Sequence, residues 1–84
     1  MSPLVAELYH YILERRMEAY LQQTDYHILS RQARRQQELL AQALPPAALP
    51  VLESYLEAAD KSVLAELEAM FQAGLAVGVE LSRL

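Results

Sequence analysis

The stretch LPVLESYLEAADKSVLAELEAMFQAGLAVGVEL, residues 49–81, decides the fold. Leu49, Leu52, Leu56, Ala59, Val63, Leu67, Met70, Gly74, Val77 and Leu81 succeed one another at steps of three or four, the repeat of one helix face. Pro50 fits in a first helical turn, where its missing N–H costs nothing. The pattern therefore predicts one helix over about 47–82, although Asp60 or Ser62 would cap a separate one if it were broken there. Its length is ~50–55 Å at 1.5 Å per residue. Glu53, Glu57 and Lys61 lie opposite the stripe in the first half. From Leu64 onward a second stripe joins it, made of Leu64, Phe71, Leu75 and Val79 or Gly78.

Upstream, Pro45-Pro46 stops a second helix predicted over about 25–44, because the residue before a proline is pushed out of the α region. Gln22-Gln23-Thr24-Asp25 marks the break before it, with Thr24 or Asp25 as its N-cap. Ser2-Pro3 is an N-cap with proline at the first helical position after it, so the first helix is predicted over about 3–21. These two helices are ~30 Å long each. The turn at 44–50 predicts that the second helix runs antiparallel to the first half of the third and leaves the other half in need of cover.

The first helix is apolar on two faces. Val5, Leu8, Ile12 and Ala19 lie on one, and Tyr9, Leu13, Met17 and Tyr20 on the other. A helix apolar over so wide an arc is buried on more than one side. One face each of the first and third helices would cover one another, leaving two bare. The expected architecture is all-α: three helices, the third about twice as long, an antiparallel hairpin or bundle completed by dimerisation. Residues 1–84 form a single helical domain in this reading, and a compact three-helix monomer is the alternative. The interface candidates are Tyr9, Leu13, Met17, Tyr20, Leu64, Phe71, Gly74, Leu75 and Gly78.

Composition supports self-association. Of 84 residues 54% are hydrophobic and none is cysteine, so neither disulfides nor thiolate metal sites add to a core that is marginal at this size. Oligomerisation is the remaining common source of buried surface. The net charge of −4 argues against general binding to nucleic acid or anionic membranes. Met1-Ser2-Pro3-Leu4 carries no basic region and Glu7 comes soon after, which predicts no secretory signal. The most apolar stretch, residues 69–81, carries Gln72 and Glu80 and is shorter than the ~20 residues of a membrane span. The expected compartment is the cytoplasm.

No constellation of residues announces chemistry. Gly74 and Gly78 sit four apart inside the helical pattern, where small residues let another backbone approach; a fraying end with Gly78 as C-cap is the alternative. Glu7 and His10 form an E-x-x-H pair near Glu14, the spacing of di-iron bundles, which need further inward glutamates. A solvated charged face is the preferred reading, and a metal-binding dimeric bundle, enzyme or sensor, is kept as an alternative. Arg31, Arg34 and Arg35 make a short basic patch without interleaved aromatics, with Glu38 placed to pair with Arg34 or Arg35. Weak nucleic-acid binding through it is a further alternative. With no Gly-rich phosphate loop and no serine–histidine–acid arrangement, the reading is no enzyme, no cofactor and no metal.

Two stretches resemble a family of small uncharacterised helical proteins from Gram-positive anaerobes. Leu52-Glu53-Ser54-Tyr55 resembles the family's "L-x-E-x-Y" after a proline or serine turn. Residues 71–81, from Phe71 through Gly74 and Gly78 to Leu81, are similar to its closing "F-x-x-G-F-x-L-G-x-x-L" segment. Asp25-Tyr26 is similar to the start of its second helix, so the resemblance spans about 24–82. Leu75 stands where the family has its second aromatic, and the first helix is longer and less polar. The resemblance implies helices and phage- or plasmid-borne regulation, with no catalytic residue. The first two helices also resemble the hairpins of sporulation aspartyl-phosphate phosphatases, but Arg34 occupies their acidic position, which rejects that activity.

Overall fold

The computed structural model describes all 84 residues, and the chain is all-helical with no strand. Its elements are α1 (Pro3–Tyr11), a π-helical turn (Ile12–Arg16), α2 (Met17–Leu21), α3 (Tyr26–Ala43), a 3₁₀ turn (Pro46–Ala48) and α4 (Leu49–Ser82). α1, the π turn and α2 are continuous, so three helices are present and the last is about twice as long as the first. The chain divides into two units, Met1–Leu49 and Pro50–Leu84.

In the first unit, local chemistry sets each boundary. The Ser2 hydroxyl accepts the Val5 N–H at 3.3 Å, and Pro3 opens α1. At the other end Thr24 serves two helices. Its hydroxyl donates to the Leu21 carbonyl at 2.7 Å and accepts the Tyr26 N–H at 3.1 Å. Asp25 occupies the N-cap position of α3 with no side-chain bond of its own. Across the same turn His27 Nε2 meets Glu18 Oε1 at 2.7 Å. α3 ends at Leu44, whose extended backbone (φ −82°, ψ 146°) is the conformation that Pro45 demands.

The π turn was not anticipated, and the apolar spacing accounts for it. Tyr9 is buried and Val5, Leu13, Met17 and Leu21 are half-buried, an unbroken step of four. Each step of four overshoots a 3.6-residue helix by about 40°, so Val5 and Leu21 would diverge by about 160° on an ideal α-helix. One extra residue in a π turn takes back about 100° of that. The turn therefore realigns Met17 and Leu21 with Tyr9 and Leu13 as a single covered line. Its local signature is Arg16, whose φ of −119° departs from the helical value while its neighbours keep theirs.

α3 is amphipathic with its apolar side bare. Tyr26, Leu29, Ala33 and Leu40 lie on one side and all are exposed, opposite Arg31, Arg34, Arg35 and Glu38.

The second unit is α4. It runs unbroken through residues 60–62, with Pro50 in its first turn, because nothing in Ala59-Asp60-Lys61-Ser62 opposes helix and Lys61 Nζ reaches Glu57 Oε1 one turn back at 3.3 Å. Its half-buried residues are Leu49, Leu52, Leu56 and Ala59, then Leu67, Phe71 and Leu75. Beyond Leu67 the covered line thus tracks the second stripe of the sequence. The first stripe is exposed there, with Met70 at 73%, Val77 at 53% and Leu81 at 62%.

Candidate functional site

No group of three or more His, Asp or Glu side chains gathers to hold a metal, and the hollows on the first helix and α3 are open, so the candidate site is a surface. Tyr9 is the one buried hydrophobic residue, and the exposed large hydrophobics run from Leu4 to Leu81 through every helix.

The residues singled out from the sequence fall into three groups. Tyr9 is buried within the chain, its ring edge-on to His10 with centroids 5.3 Å apart. Leu13, Met17, Phe71 and Leu75 are half-buried, whereas Tyr20, Leu64, Gly74 and Gly78 are exposed. A Cβ built at either glycine would meet nothing within 4 Å, and neither glycine has a positive φ. Because α4 continues to Ser82, Gly78 is not a C-cap.

Sequence periodicity overlooked a feature on the other side of the first helix. Leu8, Tyr11, Ile12, Arg16 and Tyr20 line an open hollow of about 310 Å³. The π turn brings Arg16 and Tyr11, five residues apart, into one site. The neighbouring hydroxyls of Tyr11, first, and Tyr20 raise the pKa of the Arg16 guanidinium by favouring its charged form. Arg16 forms no ion pair with any carboxylate of the chain. A fixed cation in a mostly apolar hollow between two tyrosines has the composition of an interface anchor. The only signal in the sequence was the step of four from Val5 to Leu21, which an α-helix cannot keep on one face.

The polar candidates remain dispersed. Glu7, His10 and Glu14 do not come together as a potential metal-holding group, and no other such group of three exists; the π turn begins between His10 and Glu14 and rotates the residues after it. Arg31, Arg34 and Arg35 line a second open hollow, about 370 Å³, beside Glu38 on α3. The expected pairing of Glu38 with Arg34 or Arg35 is not formed.

Over nearly its whole length, residues 1–82, the sequence matches the model of a family of unknown function, DUF6809. The chain belongs to this family. The match takes in the first helix as well as the region from residue 24 onward, so the π turn and its hollow lie within the family's span. No curated protein and no solved structure matches the chain. The family description carries no enzymatic activity.

One helix, spanning Pro46–Ser82, is long and apolar enough to cross a membrane by length and composition alone. Its longest run without a charge lies between Glu68 and Glu80, residues 69–79, or ~16 Å of helix against a hydrocarbon core of ~30 Å. A span would have to place carboxylates in lipid, at a cost of roughly 3 kcal/mol for a charge at the bilayer centre.

Proposed function

We propose that the protein is a cytoplasmic, homodimeric helical interaction or regulatory protein that performs no chemistry of its own. The observation that carries this reading is the near-absence of a core: one residue, Tyr9, is buried in a chain that is 54% hydrophobic. Burial of apolar side chains is the main driving force for folding, at about 25 cal/mol per Å². A chain that leaves so many of its aliphatic and aromatic residues half in water requires cover from a second molecule. α4 supplies the longest uncovered stripe, and Gly74 in its middle leaves room for a second backbone to come close.

A second copy is the simplest cover, because a two-fold axis makes each bare face cover another without requiring a separate partner. The regulatory role rests on the absence of a catalytic constellation together with a surface composed for protein contact.

Sedimentation velocity on wild type and on Val77→Glu tests the reading. Val77 is exposed within the chain, so the substitution leaves the fold intact and places a charge on the proposed interface. The expected outcome is a dimer in wild type and a helical monomer in the variant. A variant that stays dimeric would remove the α4 stripe from the interface.

A further inference from the structure

The hollow on the first helix and the bare stripe on α4 are chemically complementary. The hollow offers apolar walls, Leu8 and Ile12, around the Arg16 guanidinium and the Tyr11 and Tyr20 rings. The α4 stripe offers Val63, Met70 and Val77 on exposed helix surface, with Glu66 along its flank. Glu66 stands three residues after Val63 and four before Met70, so helical spacing sets it beside both. Neither Arg16 nor Glu66 has an ion-pair partner within the chain. Each face therefore carries an unmatched charge among apolar groups, and the two charges are opposite.

We infer that the first helix of one subunit docks its Leu8–Tyr20 hollow on the Val63–Val77 stripe of α4 in a second copy, with Arg16 meeting Glu66 of that copy. The inference rests on the homodimer proposed above and adds its register and partner faces. In a two-fold dimer the contact is made twice, each copy giving its hollow to one contact and its stripe to the other. Gly74 in the stripe has nothing within 4 Å of its missing Cβ, which leaves room for the first helix of the second copy to come close. Tyrosine and arginine are the side chains most often found to dominate binding energy. The guanidinium, planar and permanently charged, fixes orientation where an apolar stripe alone would allow sliding.

A charge exchange tests the register. Sedimentation equilibrium gives the dimer dissociation constant for wild type, Arg16→Glu, Glu66→Arg and the double variant, with circular dichroism confirming equal helix content. Arg16→Gln serves as a milder variant should Arg16→Glu lose helix. Each single exchange is expected to weaken association about tenfold or more, by placing like charges together. The double variant is expected to return to within about threefold of wild type. If the wild type dimerises and the double variant associates no better than the singles, the register is overturned while the homodimer stands. A wild type that is monomeric at every concentration overturns both.

Discussion

A methyl group added at Gly74 or Gly78 would meet nothing within 4 Å, yet each glycine costs its helix about 1 kcal/mol relative to alanine. Within one subunit Gly74→Ala is therefore expected to stabilise α4 by about 1 kcal/mol, read as a higher thermal midpoint in dilute solution. In concentrated solution the same substitution is expected to weaken association, because the added methyl occupies the space a second backbone would use. Equal behaviour at both concentrations would show that the glycine serves no close approach. Ser2→Ala tests a smaller effect. Its bond to the Val5 N–H is long, at 3.3 Å, so a loss of about 0.5 kcal/mol is expected, at the low end for a cap, with faster amide exchange confined to the first turn. The Lys61–Glu57 pair is exposed on both sides, and Lys61→Ala should change stability by less than about 0.5 kcal/mol in a denaturant titration.

At the scale of elements, the helices were legible because their punctuation is chemical. Ser2-Pro3, Thr24 and Pro45-Pro46 each satisfy or deny a backbone hydrogen bond, and such signals act over two or three residues. The single run through residues 60–62 was legible for the same reason, since no residue there breaks helix. The π turn was not, because an ideal 3.6-residue template has no place for an added residue and sorted Val5 and Tyr9 onto different faces. Only the constant step from Val5 through Tyr9, Leu13 and Met17 to Leu21 marks it. Deleting Glu14 should remove the extra residue that the π turn absorbs and restore an α-helical turn, with Met17 and Leu21 still in line with Tyr9 and Leu13. Chemical denaturation of the deletion variant is expected to change little, whereas an alanine inserted after Glu14 should turn Met17 and Leu21 by about 100° and cost about 2–3 kcal/mol in lost cover. Equal stability of the insertion variant would mean the line from Tyr9 to Leu21 is not a packing line. The candidate site was partly legible: the two-faced character of the first and third helices showed in the pattern, but Arg16 joins Tyr11 in one hollow only through the extra residue.

For the whole molecule, the relation between 54% hydrophobic composition and one buried side chain is the fact to be explained. A chain of this length has little interior at best, and this one contains neither cysteine nor a cluster of metal ligands to compensate. The proposed dimer would supply the missing burial from two copies with complementary faces, without new chemistry. Membership in a family of unknown function extends the question to its other members, since the matched span contains both proposed faces. The most direct measurement is the molar mass of the wild-type protein by light scattering across a range of concentrations. The account predicts twice the 9.5 kDa chain mass, falling toward the single-chain value only on strong dilution. A mass of 9.5 kDa at every concentration, with native helix content, would contradict it.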